Sequence, residues 1–484
     1  MKRSSFPLVA GLALACLRWN SGPASLAGQE TPAIRPRCNV IVLLVDDLGY
    51  ECLGANGGRT FQTPVVDRLA AQGVRFEHAF VQPNCTPTRV ALMTGKVNAR
   101  NYVHFGVLEE SQRTFGHLFR DAGYATGVVG KWQLGGSVAE ETPRHFGFDE
   151  HCLYHIKGVP RDRGDAGSEY ASRYINPGLV INSVAHRFGD NAYAPDLCHD
   201  FVLDWLGRHR EGPFFLYYPM MLTHAPFDPT PDSSDFPGKG GPARTRAEHY
   251  ADMIAYNDKL IGKLVARLDE LHLRERTLLV FLGDNGTPGN FVTEMADGEV
   301  IRAGKGATIR AGMHVPLVVS WPGTIEPGRL CRDLVNVTDI LPTICDAAQV
   351  PLPADFVTDG RSFLPQLLGR QGQPRAWIYS WFNPLMRKDS ETVEMAFTRE
   401  FKLYRSGEFY DWRMDPQEHR PLSAAALTGE AAAAARLLQA ALDQFRDARP
   451  AAIEAQANAL RDGRGDAAPV ERESRRGTKR QRKK

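Results

Sequence analysis

Two pairs of polar residues follow strand-like apolar runs in the sequence. The pairs are Asp46-Asp47, directly after Asn39–Val45, and Asp284-Asn285, which follows Thr277–Leu282 after one glycine. Because open α/β sheets bind ligands at the carboxyl ends of their strands, we expect both pairs at one edge of a sheet. Three carboxylates and an amide suit a hard divalent cation, and Ca²⁺ accepts a crowded protein shell more readily than Mg²⁺. Taken alone, the two pairs are equally compatible with turn residues and with metal ligands.

Basic side chains are expected at the same edge. Lys131 closely follows the apolar run Ala125–Val129, and His224 closely follows Phe214–Tyr218. Four separate segments therefore deliver polar groups to one edge of the predicted sheet. Lys305, which lies between two glycines, is either a further member of this site or a solvated loop charge.

A cysteine and an arginine are spaced to share one face of a helix. In Cys85-Thr86-Pro87-Thr88-Arg89, Pro87 suits a first helical turn, which places Cys85 near the helix N-terminus. Free N–H groups there favour anions, and Arg89, four residues on, directs a permanent cation to the same face. A nucleophile beside an arginine suits chemistry on a tetrahedral oxyanion. The alternative is a structural or disulfide-bonded cysteine.

The pattern of apolar runs predicts an α/β protein. The short strand-like runs are too continuously apolar to be half exposed, and amphipathic segments such as Val65–Gln72, Thr114–Ala122 and Arg244–Leu271 lie between them. We therefore expect a mainly parallel central sheet with helices on both faces, in which Val315–Trp321 is one further strand. Short runs after Trp377 predict a small antiparallel sheet, followed by a helix over Ala424–Phe445.

Composition changes suggest the domain boundaries. Positive charge, an apolar stretch and small residues indicate a signal peptide over 1–27. Its apolar stretch, from Phe6 to Leu17, is shorter than the ~20 apolar residues that span a bilayer. A lipoprotein site at Cys16 fits less well. We expect a catalytic α/β domain over 37–350, in which His151–Pro195 is an insertion. The remaining predicted segments are a linker over 351–375, a small α+β subdomain over 376–450, and a polar basic tail, disordered, over 451–484.

The composition excludes several classes of protein. With 43% hydrophobic residues among 484, the chain is neither disordered nor collagen-like, and it has no long apolar run outside the N-terminus. Both ends are basic and the body between them is acidic, so we expect no nucleic-acid partner and no integral membrane partner. Export to the periplasm or medium would allow disulfides, whose pairing the sequence leaves open, among Cys38, Cys52, Cys152, Cys198, Cys331 and Cys345.

Several segments resemble one known family. Cys85–Gly95 resembles the signature of the type I sulfatases, which belong to the alkaline-phosphatase-like superfamily. Gly130–Gly135, Thr223–Pro226 and Gly304–Gly306 are similar to further blocks of that family, and the resemblance runs in order over residues 37–420. It implies an alkaline-phosphatase-like fold. It also implies hydrolysis of sulfate esters, with sulfated carbohydrate as the natural substrate and aryl sulfates as artificial ones.

The resemblance also implies roles for individual residues. One Ca²⁺ would be held by Asp46, Asp47, Asp284, Asn285 and the modified Cys85. A formylglycine-generating enzyme would oxidise Cys85 to formylglycine, whose hydrate attacks sulfur with one hydroxyl and later expels sulfate with the other. Arg89 and Lys131 would steady this hydrate and the sulfate charge. His224 and Lys305 would hold the sulfate and assist the leaving oxygen.

One position departs from the family pattern. Gln133 stands where the family has a histidine that acts as a base, and an amide does not accept a proton at neutral pH. Gln133 could still bind a sulfate oxygen, while His314 or a metal-bound water replaces the base. The departure keeps two alternatives open. One is a phosphonate or phosphodiester hydrolase of the same superfamily, and the other is a non-catalytic protein that binds sulfated glycans.

Overall fold

The computed structural model describes residues 37–135, 142–154, 173–387 and 390–463. Its largest element is a ten-stranded sheet with the strand order β12-β2-β11-β8-β1-β7-β3-β4-β5-β6. The strands of this sheet are β1 Asn39–Val45, β2 Val74–Phe80, β3 Ala125–Lys131, β4 Glu150–Tyr154, β5 Gly178–Ile181, β6 Val184–Arg187, β7 Phe214–Pro219, β8 Thr277–Gly283, β11 Leu317–Ser320 and β12 Arg329–Asn336. A hairpin of β9 Val292–Glu294 and β10 Val300–Arg302 stands apart from it.

Helices cover both faces of the central sheet, as predicted. Their bounds are α1 Pro64–Ala71, α2 Cys85–Thr94, α3 Asn98–Asn101, α4 Phe115–Asp121, α5 Thr142–His145, α6 Ala194–Arg208, α7 Arg246–Glu270, α8 Arg310–Met313, α9 Ile340–Ala348 and α10 Leu364–Leu367. Alternate residues of β1 point to opposite faces. Val40 and Val42 belong to a core with α2, α4 and α9, whereas Ile41 and Leu43 belong to a core with α1, α6 and α7.

The direction of one predicted strand differs from the expectation. β1 is parallel to both of its neighbours, β7 and β8, and all its residues are buried. By contrast, β11 is antiparallel to both β8 and β2. A continuous apolar run indicates that a strand is buried on both faces, and antiparallel partners satisfy that condition equally well. The expectation that the run Val315–Trp321, which contains β11, is a parallel strand was therefore wrong.

The C-terminal part forms a separate small sheet. Its four antiparallel strands are β13 Ile378–Phe382, β14 Val393–Phe397, β15 Phe401–Tyr404 and β16 Phe409–Asp411, followed by α11 Gly429–Gln444. A further helix, α12 Ala451–Gly463, lies in the segment that we expected to be a disordered tail. Its side chains Ile453 and Ala457 are buried in the main core, so the expectation was wrong for 451–463. The rest of the predicted tail lies outside the described residues.

The predicted signal peptide, insertion and disulfides compare with the structure as follows. The predicted signal peptide over 1–27 lies outside the described residues. The segment expected as an insertion contributes β4, β5 and β6, which extend one edge of the sheet. Each of the seven cysteines in the described part of the chain is a free thiol, so no disulfide is confirmed there. Within the same residues, we find no helix that is long and apolar enough to cross a membrane.

Candidate active site

The two polar pairs, Asp46-Asp47 and Asp284-Asn285, meet at the carboxyl ends of β1 and β8. These strands pair in register through Val45 and Gly283, so the residues that follow each strand emerge side by side. The backbone N–H of Asp47 donates to Asp284 Oδ1 at 2.9 Å, and Asn285 Nδ2 donates to Asp47 Oδ1 at 2.8 Å. Side chains separated by more than 230 positions in the chain therefore form one buried cluster, as the sequence predicts.

Cys85 begins the helix that points at this cluster. Asn84 caps α2, and its Oδ1 accepts from the Cys85 backbone N–H at 2.9 Å. All ten residues of the helix are buried, which fixes its N-terminus against the sheet edge. The Cys85 sulfur and one carboxylate oxygen each of Asp46 and Asp284 lie within 4.8 Å of one another. Cys85, the candidate nucleophile, and the two polar pairs thus belong to one site.

Three basic side chains surround the carboxylates. Lys131, at the end of β3, places Nζ 2.7 Å from Asp46 Oδ2, and Lys305 places Nζ 2.7 Å from Asp47 Oδ2. Arg89 donates to Asp284 Oδ2 through Nη2 at 2.8 Å and through Nε at 3.2 Å. All three cations contact the carboxylates of the cluster, and of the two alternatives for Lys305 the structure places it at the site.

The donor set fits a divalent cation. Asp46 Oδ1 and Asn285 Oδ1 are buried and accept no hydrogen bond from the described residues, although a buried acceptor normally has a donor. Burial, followed by the nearby charge of Asp46, raises the pKa of Asp284. A hard cation would satisfy the two oxygens and relieve this repulsion between carboxylates. The site can therefore hold a metal through Asp46, Asp284 and Asn285.

His224 lies at the same site but in a cationic environment. The residue is buried, and its Nδ1 lies 2.6 Å from the carbonyl oxygen of Ala225. The same nitrogen contacts the guanidinium of Arg173. Burial, together with the charges of Lys305 and Arg173, holds the pKa of His224 well below its usual value. The imidazole is therefore neutral in the absence of a bound anion.

Sequence reasoning missed several side chains at the site. Arg173 lies in the segment before β5, which has no periodicity or motif that could have revealed it. The Tyr250 hydroxyl on α7 donates to the Asp47 carbonyl at 2.9 Å. Thr223 Oγ1 donates to the carbonyl oxygens of Asp46 and Asp47 at 3.2 and 3.1 Å. Thr223 adjoins the predicted His224, so its proximity in sequence was a usable signal, whereas Tyr250 resembles any buried residue of a long helix.

Gln133 and His314, the residue considered as a replacement base, lie in different places. Gln133 is part of the site, since the Cys85 thiol donates to Gln133 Oε1 at 3.3 Å. The His314 ring instead stacks on Tyr50 at 4.0 Å between centroids, and its Nε2 lies 2.8 Å from the carbonyl oxygen of Glu77. The ring of His314 is thus engaged in packing and backbone contacts, and the expectation that it replaces the base receives no support.

Comparisons with known proteins agree with this arrangement. The sulfatase family model matches residues 38–350, and the model for the C-terminal part of N-sulphoglucosamine sulphohydrolase matches residues 305–447. Human arylsulfatase A is 31% identical over 395 residues, which cover 76% of this chain and 74% of the relative. Human N-acetylgalactosamine-6-sulfatase is 30% identical over 375 residues, covering 72% of this chain and 69% of the relative.

Solved structures share the fold at lower sequence identity. The structure of Ps i-CgsB in complex with a neocarrahexaose has a TM-score of 0.70 and 22% identity, and the match covers 88% of this chain and 97% of the other. The phosphonate monoester hydrolase of Agrobacterium radiobacter has a TM-score of 0.61 and 21% identity, with 87% and 96% covered. The sequence matches, by contrast, are to sulfatases over most of the chain. The chain therefore belongs to the type I sulfatase family and is a sulfuric ester hydrolase.

Proposed function

We propose that the protein hydrolyses sulfate esters of carbohydrates, using a formylglycine made from Cys85 beside a Ca²⁺ ion. The observation that carries the proposal is the position of the Cys85 sulfur, which shares a 4.8 Å cluster with the carboxylates of Asp46 and Asp284. The thiol forms no disulfide, and its hydrogen bonds are the long ones to Gln133 Oε1 and Asn84 Oδ1, at 3.3 and 3.4 Å. A hydrated aldehyde there would supply one hydroxyl to attack sulfur and a second to expel sulfate.

Two of the residues that would hold the metal carry unsatisfied oxygens. Asp46 and Asn285 each offer a buried oxygen without a hydrogen-bond donor among the described residues. Asp47 and Asp284, whose carboxylate oxygens already accept hydrogen bonds, would complete the set. Bound Ca²⁺ would supply positive charge to the sulfuryl oxygens. The choice of Ca²⁺ over Mg²⁺ rests on the crowded protein shell, which leaves little room for the waters that Mg²⁺ retains.

The basic side chains of the site would bind the sulfate and stabilise its developing charge. Arg89 and Lys131 are buried and are held by carboxylates, so they are oriented before substrate arrives. Lys305 is 18% exposed and is the cation best placed to meet an entering sulfate. An anion bound here would offset the charges that depress the pKa of His224, which would allow His224 to protonate the leaving oxygen.

The carbohydrate part of the proposal rests on the relatives. One relative is named for N-acetylgalactosamine-6-sulfate, and a solved structure of the same fold contains D-glucosamine-2-N,6-O-disulfate. The N-terminal sequence supports export to the periplasm or medium, and a formylglycine-generating enzyme would mature Cys85 after translation. Sulfated glycans are extracellular polymers, which is consistent with that location.

The test compares two aryl esters with protein produced together with the maturation enzyme. We expect release of nitrophenol from 4-nitrophenyl sulfate to exceed release from bis(4-nitrophenyl) phosphate, and the Cys85→Ala variant to be inactive on both. A panel of sulfated mono- and oligosaccharides then identifies the natural class by sulfate release. Faster phosphodiester hydrolysis would favour the phosphonate hydrolases instead. Binding of sulfated sugars without sulfate release, in protein that contains the aldehyde, would favour a non-catalytic binder.

A further inference from the structure

The loop that carries Lys305 is anchored at three points. It joins β10 to α8, and the Lys305 N–H donates to the carbonyl of Thr287 at 3.0 Å. The next N–H, from Gly306, donates to the carbonyl of Pro83 at 2.7 Å. The first anchor lies two residues after Asn285 and the second lies two residues before Cys85. The third anchor, at Thr308, belongs to the C-terminal sheet rather than to the site.

A buried polar cluster on the C-terminal sheet binds Thr308 twice. Lys402 Nζ donates to the Thr308 carbonyl at 2.5 Å, and the Tyr404 hydroxyl lies 2.8 Å from Thr308 Oγ1. Glu418 joins these two residues, since it accepts from Lys402 at 2.8 Å and from Tyr404 at 2.5 Å. We call Lys402, Tyr404 and Glu418 the Thr308 clamp.

Burying the ion pair of the clamp costs desolvation free energy, so we expect the pair to have a role other than stabilising the fold. The side chains of Lys402 and Glu418 are 0% and 6% exposed. Burial lowers the pKa of Lys402 to about 8, although the nearby Glu418 carboxylate opposes this shift. Desolvation offsets most of the attraction in a buried ion pair, so such a pair is weak evidence for stability. Its bonds to Thr308 instead hold a loop that comes from another part of the chain.

We propose that the Thr308 clamp positions Lys305 for sulfate binding, so that the C-terminal sheet sets the affinity of the active site. This inference rests on the proposed role of Lys305 as a sulfate ligand. Arg89 and Lys131 are 0% and 2% exposed and are packed within the main core, whereas Lys305 is 18% exposed on a loop. The Lys305 ammonium pairs with Asp47 Oδ2 at 2.7 Å, and the position of the Lys305 backbone decides whether the same ammonium can also reach a sulfate. Thr308, three residues away, is one of the points that fix that backbone.

The test uses two tyrosines of the same sheet as a matched pair. Tyr404→Phe removes the hydroxyl that joins Thr308 to Glu418. Tyr379→Phe is the control, because the Tyr379 hydroxyl donates to Glu394 at 2.7 Å in the same sheet, away from Thr308. Inorganic sulfate is titrated into the full-length protein by calorimetry, and KM and kcat are measured for 4-nitrophenyl sulfate. Tyr404→Phe should weaken sulfate binding about five-fold and raise KM more than it lowers kcat, as the loss of one net hydrogen bond predicts.

A double-mutant cycle separates positioning from general damage. In a Lys305→Ala background, Tyr404→Phe should weaken sulfate binding no further, because coupled residues are non-additive. Thr308→Val, which leaves the ion pair intact, should reproduce the effect if Tyr404→Phe folds poorly. An equal effect of Tyr379→Phe, or an undiminished effect of Tyr404→Phe in the Lys305→Ala background, would overturn the inference. Failure of the proposed function is distinguishable, since it would appear as sulfate binding without ester hydrolysis in the wild type.

Discussion

At the residue scale, Gln133 stands directly beside the atom on which the chemistry would occur. Its Oε1 accepts from the Cys85 thiol at 3.3 Å, and its backbone has φ of 50°. Histidine is among the residues enriched in this left-handed region, so the backbone suits the residue that the family usually has here. The amide can hold a sulfate oxygen but cannot take a proton. In the proposed mechanism, either a water on the metal takes the proton or the elimination of sulfate is slow.

Restoring a base at this position should therefore accelerate turnover. We predict that Gln133→His raises kcat for 4-nitrophenyl sulfate by about ten- to a hundred-fold, at the low end of general-base contributions. Steady-state kinetics at several pH values measure the effect, and Gln133→Asn serves as a control that has no base. If the histidine variant is no faster than the wild type, the base lies elsewhere in the site.

The site residues differ in how well they can be predicted from the sequence. Asp46 and Asp284 could be predicted because each lies within two residues of the end of a continuous apolar run, and a parallel sheet brings such positions together. Cys85 could be predicted because a proline and an arginine at helical spacing mark its helix. Arg173 could not, since only the tertiary fold brings it to His224.

At the scale of elements, the short 3-10 helix Tyr50–Cys52 places the carboxyl group of Glu51 against Thr287, the residue that binds the loop of Lys305. Glu51 is 2% exposed, and its Oε1 contacts the hydroxyl of Thr287. The Thr287 carbonyl accepts from Gly304 and Lys305 at 3.1 and 3.0 Å. Burial raises the pKa of Glu51 from 4.5 to about 7. Glu51 is thus protonated in the folded state under conditions where it ionises in the unfolded chain.

This shift makes folding stability fall as the pH rises. Between pH 4.5 and about 7 the unfolded carboxyl releases its proton while the folded one retains it. The linked loss is about 3 kcal/mol by pH 7. We predict that Glu51→Gln is more stable than the wild type at pH 8 by up to this amount and equally stable near pH 4.

Urea titrations at the two pH values measure the difference. Glu454→Gln is the control, since Glu454 is 48% exposed and should show little change. A stability difference between Glu51→Gln and the wild type that does not vary with pH would contradict the prediction.

The elements themselves were predictable to different degrees. β1, β7 and β8 were predicted within one residue of their observed bounds because uninterrupted apolar runs leave few alternatives. β2 was missed, since its sequence alternates buried and partly exposed positions and contains charged residues. The helix α12 was missed because its apolar stripe is short: Ile453 and Ala457 are buried, and Leu460 packs against the core while partly exposed.

At the scale of the whole molecule, the proposed metal site joins segments from both ends of the catalytic domain. Asp46 and Asp47 follow the first strand, whereas Asp284 and Asn285 follow the eighth, and the side chains are 0% exposed. An unfolded chain cannot hold these groups together, so an ion would bind only the folded form. Binding free energy at this site is therefore added to the stability of the entire domain.

Calcium should accordingly raise the melting temperature. Excess Ca²⁺ at about a hundred times its Kd stabilises by roughly 2.7 kcal/mol, and we predict a rise of a few degrees relative to protein treated with a chelator. Asp284→Asn should lose most of this rise.

Asp258→Asn is the matched control for the calcium experiment. Asp258 is also buried, but it accepts from the N–H groups of Val65 and Val66 at 2.9 Å each, at the start of α1. This variant should melt at a lower temperature and keep the full calcium response. A calcium response that survives in Asp284→Asn would place the ion elsewhere.

The most direct test of the central claim is the mass of the peptide that contains Cys85. The protein is produced in a host with the maturation enzyme, digested, and analysed while its rate on 4-nitrophenyl sulfate is recorded. We predict that the sulfur of Cys85 is replaced by an aldehyde or its hydrate, and that activity is proportional to the converted fraction. An intact thiol in fully active protein would contradict the account.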